Sequence, residues 1–540
     1  MKDSICKIAF LFGALCFLYH VSRGTDSRVL TDRDIYVSGE EVLLTVFVPN
    51  ECHFKVISLC LTNSRGELIR TANLPLRDFQ AAGHLYLPDS LSNGSYLISA
   101  YGPHVKRHVL ESKEIVVLNR FENTDEAILL NRAALNAPPA LPSSGYLVSG
   151  LKETYRQGET VRFELSGTKR TGSQLAVSVS RCFPDWKPRH HSVQLDRKDT
   201  TLMTSKEGVV LQGMVSRSNS KGPVAGATVY LSIPDSIPFF DYYQTGDDGR
   251  FYFLLPNRYG TCKIVLQAIK EGETNELKLI PGSVVGKLDD GFDVSAFPVS
   301  PLLRDYMAES IQLVTFRKIY QAPDLVVQRT QNKPAFPFPF YGQETIQIIP
   351  DEYYELDDFH EISRELLEAV RFRNSKGEYQ LNIFDYGLHS YMAGPPMVLV
   401  DGVPLSDLSC LAKMGSKVID RIEQVPYQRF YGTLCMDGIL AIYTKSGDAS
   451  AVPVSNHLLK MDFEALQANV QLPELQNAGT NEPDFRQLLY WNPKFDPLSD
   501  GAVSFNTPNV NGTYRVCLVE RTTDGQLLEH IEYFTISNAL

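Results

Sequence analysis

Apolar residues along this chain recur mostly every second position, the period of a half-buried strand. Val161-Arg162-Phe163-Glu164-Leu165 alternates cleanly, and Val42-Leu43-Leu44-Thr45-Val46-Phe47-Val48 is a β-branched run. Each follows the same turn, Tyr36-Val37-Ser38-Gly39-Glu40 in one place and Tyr155-Arg156-Gln157-Gly158-Glu159 in the other. A second pair of repeats lies at Asn93-Gly94-Ser95-Tyr96-Leu97-Ile98 and Asn511-Gly512-Thr513-Tyr514-Arg515-Val516. Repeats of this kind predict related β-sandwiches. Further strands are predicted at 209–215, 228–231 and 251–255, with turns at Gly222–Ala227 and a hairpin turn at Thr245–Arg250. Helical spacing appears over His360–Val370, where Ile362, Leu366, Leu367 and Val370 share a face. Asp357 and Asp358 precede it, where carboxylates favour a helix start.

The predicted strands divide into segments. Residues 25–118 form one sandwich and 143–205 a second, shorter segment. Residues 206–285 form a third sandwich, 343–450 a small α+β domain and 451–540 a C-terminal β segment. Linkers fall at 119–142, around Asn136-Ala137-Pro138-Pro139, and at 286–342, which ends in alternating Pro and Phe. Those alternating residues are of a kind that docks on a neighbour. The fold class expected is mainly β: tandem Ig/macroglobulin-like β-sandwiches plus one small α+β domain.

The α+β segment carries the most specific pattern. Val400-Asp401-Gly402-Val403-Pro404, the strand Val418–Val425, and Gly438-Ile439 leading to Thr444-Lys445 occur in that order. This resembles the plug domain of TonB-dependent outer-membrane receptors. The 206–285 segment resembles the carboxypeptidase regulatory-like domain, and the two Tyr-x-x-Gly-Glu units and the C-terminal segment resemble macroglobulin domains. Together these resemble exported Bacteroidetes-type envelope proteins. The plug resemblance implies a transport barrel after the plug. Residues 449–540 are too few for about 22 strands of some 10 residues, so no such pore is expected.

Charge narrows the partners. With 63 Asp+Glu against 52 Lys+Arg, the net charge is -11, which argues against sequence-independent nucleic-acid binding. Lys2 and Lys7 precede an apolar stretch, Ile8 to Tyr19, with small residues at Ser22 and Gly24. Residues 1–24 are therefore expected to be a secretion signal rather than a membrane anchor, the stretch being short for a bilayer span. Leu15 before Cys16 argues against a lipid anchor. The mature chain has seven cysteines with no CxxC pair, and a Cys52–Cys60 bridge is one possibility.

Candidate chemistry is sparse. His360-Glu361 lacks the second His of a zinc-protease helix, since Arg364 stands there. His190 and His191 are adjacent and on a strand would face opposite ways. Asp247 and Asp248 lack a complete calcium loop, and Cys435 lies outside any thioester context. No catalytic, cofactor-binding or metal residue is assigned and no cofactor is expected. Asp401, Gly402, Tyr431 and Gly432 are expected to shape the turns of the α+β domain. The expected function is a non-enzymatic envelope binding or scaffold protein, in the periplasm or at the outer membrane. Its expected partner is another envelope or outer-membrane protein, and the chain itself is expected to have no transmembrane span. The alternative is a macroglobulin-like protease-interacting protein lacking a thioester. Oligomeric state and disulfide pairing are left open.

Overall fold

The apolar alternation resolves into short strands. The structure is a computed structural model describing residues 27–50, 52, 54–102, 109–122, 129–133, 141–167, 173–192, 208–219, 222–282, 294–319, 326–327, 337–344, 346–375, 377–468, 470–471 and 483–538. The expected signal, residues 1–24, lies outside these. Two units emerge: Met1–Glu207, Val285–Arg329 and Leu466–Leu540 form one, and Gly208–Val284 with Thr330–Ala465 the other.

The first unit holds two sandwiches. In the first, Arg28–Thr31, Glu41–Phe47 and Gln80–Tyr86 make a three-stranded sheet. It faces Leu68–Pro75, Val56–Asn63, Gly94–Tyr101 and Val109–Leu118, with Ile35–Val37 running parallel to the last strand. Tyr36, Leu44, Ile57, Ile98 and Val117 fill the space between. In the second, Leu147–Ser149, Thr160–Ser166 and Val503–Asn506 face Leu488–Phe495, Gln174–Arg181, Gly512–Arg521 and Leu527–Ile536. Thr154–Tyr155 runs parallel to the last of these. Phe163, Val177, Phe505, Val516 and Phe534 form its core.

Strand for strand, the two sandwiches have one topology, and the sequence repeats mark equivalent atoms. The Tyr36 hydroxyl accepts from Arg33 N at 3.0 Å, and that of Tyr155 accepts from Lys152 N at 2.8 Å. Glu40 Oε2 accepts from Val37 N at 2.7 Å and Glu159 Oε2 from Arg156 N at 2.9 Å. The glycine between them has φ +81° at Gly39 and +75° at Gly158, a left-handed turn that side chains disfavour. Tyr96 donates to Ser92 O at 2.9 Å and Tyr514 to Val510 O at 3.2 Å, each four residues back, as in the tyrosine corner of Ig-like sandwiches.

One connection differs. Val56–Asn63 and Leu68–Pro75 are joined by a tight turn, in which Asn63 Oδ1 accepts from Arg65 N and Glu67 N. The equivalent pair, Gln174–Arg181 and Leu488–Phe495, is split by everything from Cys182 to Gln487. Strands from the 143–205 segment and from the C-terminal 451–540 segment thus close a single sandwich.

The outward faces differ as well. Leu43 is buried, and Leu30 and Phe47 pack on Ala176, Val519 and Leu527 of the second sandwich. The equivalent outward positions of the second sandwich, Ser149, Arg162 and Ser166, are exposed. A helix, α1 (Pro301–Ile319), lies where sequence reading placed only connecting chain. Ser300 Oγ accepts from Leu303 N at 3.2 Å, capping a start with Pro in the first turn. Leu303, Met307 and Val314 then cover Ile35, Val37, Val116, Leu118 and Trp186.

The second unit contains the third sandwich and the α+β domain. Arg250–Leu254, Val210–Arg217 and Leu277–Pro281 form one sheet of the sandwich, and Phe239–Gln244, Thr228–Ile233, Thr261–Ile269 and Leu458–Glu464 the other. The expected hairpin at Thr245–Arg250 is instead a crossover, because the strands before and after it belong to different sheets. Gly249 turns there with φ +67°, and a Cβ on it would meet Val215 O at 2.6 Å.

In the α+β domain, Ile346–Ile348, Ile419–Tyr431, Leu434–Thr444, Met397–Val400 and Val403–Pro404 form a five-stranded sheet. A smaller sheet, Val370–Ser375, Glu378–Asp385 and Ser390–Tyr391, lies beside it. Helix α2 (Phe359–Glu365) is shorter than predicted. Asp358 caps its start through Glu361 N at 2.8 Å. Val370 does not extend the helix but opens a strand paired to Ile383, the β-branched residue going to the sheet it packs in.

Candidate functional site

The turn residues singled out from sequence are held by dense local bonding. Asp401 is buried with φ +49°, at the end of the strand Met397–Val400. Its Oδ1 accepts from Thr444 N at 2.7 Å; its Oδ2 accepts from Thr444 Oγ1 at 2.6 Å and Ala449 N at 2.9 Å. The carboxylate therefore staples one strand end to the chain leaving the neighbouring strand. Gly402 follows with φ +81°, and a Cβ there would sit 2.3 Å from Pro238. The Asp-Gly pair is a fold requirement in this setting.

Tyr431 and Gly432 lie elsewhere, at the tip of the long hairpin. The Tyr431 ring packs 6.0 Å from Phe240 and 5.4 Å from Phe340, and its hydroxyl donates to Phe240 O at 3.3 Å. Phe340, from the Pro/Phe segment, stacks on Phe240 at 4.2 Å. The described part of that segment thus docks on the third sandwich. A Cβ on Gly432 would meet the Tyr242 hydroxyl at 2.2 Å, and Tyr242 accepts from Thr433 N at 2.6 Å. The four nominated residues do not converge on one spot.

Behind this contact lies a buried polar chain. Tyr341 donates to Glu423 Oε2 at 2.7 Å and stands 2.8 Å from the Tyr443 hydroxyl. Arg421 Nε reaches Glu423 Oε1 at 2.9 Å, and its guanidinium lies 3.6 Å from the centre of the Tyr443 ring. Burial first, and Tyr443 and Glu423 next, hold the Tyr341 phenol far above its ordinary range. Burial pushes Tyr443 up to about 12. Both phenols stay neutral and fix the hairpin's base.

A surface cluster that sequence reading did not single out lies on the smaller sheet. Phe384 packs edge-on against Tyr386 at 5.7 Å and Tyr391 at 5.3 Å, and the Arg371 guanidinium covers Tyr391 at 4.4 Å. Leu388 is 73% exposed, while Tyr386 and Tyr391 are each 39% exposed. Partial burial, then the charges of Glu368 and Tyr427, raise the Tyr386 phenol. Arg429 lies 5.9 Å over Tyr427. The only sequence signal was a density of aromatic residues over 384–391, which strand propensity alone explains.

The other candidates are dispersed. Asp248 Oδ1 accepts from Arg250 N at 3.0 Å, a turn contact. The described cysteines are all free thiols. Cys52 and Cys60 do not bridge: Cys52 lies in the main core, whereas Cys60 packs with Tyr101 and Val109 in a separate cluster. Among the described residues, no group of three or more His, Cys, Asp or Glu is placed to hold a metal. No helix among them is long and apolar enough to cross a membrane.

No protein-family model matches the chain, and no curated protein does. Among solved structures, the native conformation of E. coli alpha-2-macroglobulin aligns at 11% identity and a TM-score of 0.22, over 95% of this chain and 40% of that one. Salmonella alpha-2-macroglobulin reacted with methylamine aligns at 10% identity and 0.21, over 95% and 40%. A tetra-tandem repeat from the extending region of a large adhesion protein gives 9% and 0.12, over 93% and 96%. The chain spans about two fifths of the length of the macroglobulins it matches. The mainly β, tandem-sandwich fold class rests on the strand pairing described above.

Proposed function

We propose that this chain is an exported, non-enzymatic binding or scaffold protein of the cell envelope. Its α+β domain, similar in motif order to the plug of TonB-dependent receptors, grips another envelope or outer-membrane protein. The observation that supports this is the cluster of Phe384, Tyr386 and Tyr391, with Arg371 over the Tyr391 ring and Leu388 exposed on the same turn. Tyr and Arg are enriched at protein interfaces relative to the rest of the surface. The rings are pre-positioned by packing, so binding would order few side chains.

The test places a photo-crosslinking residue at Leu388 or Tyr391 in the native envelope, with Asp247 as control. The reading expects one discrete adduct with an envelope protein from both cluster positions and none from Asp247. No adduct, or the same pattern from the control, overturns it.

A further inference from the structure

In the first unit, the chain leaves the strand Gln174–Arg181 and runs as a strap over the edge of the first sandwich. Trp186 is buried in the cluster under α1. Arg189 then bonds both ways with Glu114: Glu114 N donates to Arg189 O at 2.9 Å, and Arg189 N donates to Glu114 Oε2 at 3.3 Å. Finally, His190–Ser192 pairs antiparallel with residues 111–113.

At the strap's end, His190 Nδ1 lies 2.8 Å from Glu111 Oε1, with His190 7% and Glu111 1% exposed. Glu111 also accepts from Val29 N through Oε2, and Arg28 Nη1 stands 3.6 Å from Oε1. One carboxyl thus joins three pieces of chain: its own strand, the strand Arg28–Thr31, and the strap. Beside the pair lie Lys113, Asp34 and, through Asp34, Arg515. Glu114 faces the strap from the same strand.

We propose that Glu111 and His190 form a proton-counting clasp that holds the strap at residues 183–192 on the first sandwich. The clasp is closed when the pair shares one proton and opens when it holds two or none. With two protons, an imidazolium is buried beside Arg28 and Lys113. With none, the imidazole Nδ1–H can still donate to Glu111, but a full carboxylate charge is then buried with only a neutral imidazole against it on the strap.

The pH window follows from the environment. Burial raises Glu111 to about 8 against an ordinary 4.5. Burial, then Arg28 and Lys113, hold His190 well below its ordinary 6.5. The docked pair keeps one proton up to about pH 8. The released pair would hold two protons below 4.5, one between 4.5 and 6.5, and none above 6.5. Docking is therefore strongest and flat between those last two values. It weakens about tenfold per pH unit on either side, by linkage.

The test is amide exchange of peptides spanning 183–192 in the mature chain from pH 4 to 9, corrected for intrinsic rates. The strand Gly94–Tyr101 serves as internal reference. A Trp491→Phe background makes Trp186 the sole indole and gives a second readout by fluorescence. The expected result is a plateau of strap protection that falls about threefold by pH 4 and at least about tenfold by pH 8 while the reference strand stays protected. Glu111→Gln should abolish the alkaline fall and leave protection lost below about pH 6.5, and His190→Gln should abolish the acid fall and leave protection lost above about pH 4.5. The clasp is overturned by constant protection in the wild type, by loss shared with the reference strand, or by an unchanged profile in the variants. Should both variants fail to fold, the wild-type profile alone decides.

Discussion

Arg515 Nη1 meets Asp34 Oδ2 at 2.9 Å across 481 residues of sequence, joining the second sandwich to the first. Lys113 holds the other oxygen of Asp34 at 2.8 Å. Nearby, Ser180 Oγ donates to Asp32 O at 2.6 Å. Removing one partner strands the rest in a dry contact. Arg515→Ala should therefore cost about 3–5 kcal/mol, read as a lowered urea midpoint with an unchanged slope.

The same pair sets an acid dependence. Burial alone would raise the Asp34 carboxyl, yet Arg515 and Lys113 hold it well below the ordinary 3.8. A depressed carboxyl stabilises the fold above its unfolded value and loses that contribution as pH falls through the folded one. In urea titrations, wild type should exceed Asp34→Asn in stability at pH 6, and the gap should narrow below about pH 4. A gap constant with pH would show that the charge is not what matters.

The two tyrosine corners offer an internally matched pair. Tyr96→Phe and Tyr514→Phe each delete one hydroxyl bond to a carbonyl four residues back. Each should cost about 0.5–1.5 kcal/mol. Calorimetry of both should give similar losses if the repeats are energetically equivalent.

These corners also show what sequence could convey. Tyr-x-x-Gly-Glu and Asn-Gly-x-Tyr are local bonding units, with every donor and acceptor within a few residues, so the text alone displays them. The closure of the second sandwich was hidden for the opposite reason. Pairing Ser178 with Trp491 needs two strands whose separation no period encodes. Helix α1 is signalled by Ser300-Pro301, a helix-start pair, but it lies within a stretch bounded by Pro- and Gly-rich chain that reads as a linker. The aromatic cluster around Phe384 was not legible, because the same residues satisfy an ordinary strand. Glu111 and His190 lie 79 positions apart and become partners only through edge pairing.

In the α+β domain, Asp401→Ala removes the acceptor of three donors: Thr444 N, Thr444 Oγ1 and Ala449 N. It also places alanine at φ +49°. A loss of about 2–4 kcal/mol is expected. Exchange should rise across Met397–Val400 and Leu434–Thr444 and stay constant in the first sandwich. Asp401→Asn, which keeps one acceptor and tolerates the left-handed region, should lose less.

The outward faces of the twin sandwiches give a contrast. Phe47→Ser should destabilise by about 3–5 kcal/mol, since the ring is buried against Ala176 and Val519. Ser166→Phe, at the matching exposed position, should change stability by under about 0.5 kcal/mol. Equal costs at both positions would contradict the burial assigned to these faces.

The splitting of one sandwich by most of the molecule has a consequence for biosynthesis. Gln174–Arg181 is made early, yet its two neighbours in the sheet, Leu488–Phe495 and Gly512–Arg521, are among the last segments synthesised. At roughly 5–20 residues per second, the half-built sheet waits on the order of tens of seconds with both edges open. Whatever escorts the nascent polypeptide must shield that strand until the final stretch arrives, so premature termination near the carboxyl end would undo a part of the protein begun near its start.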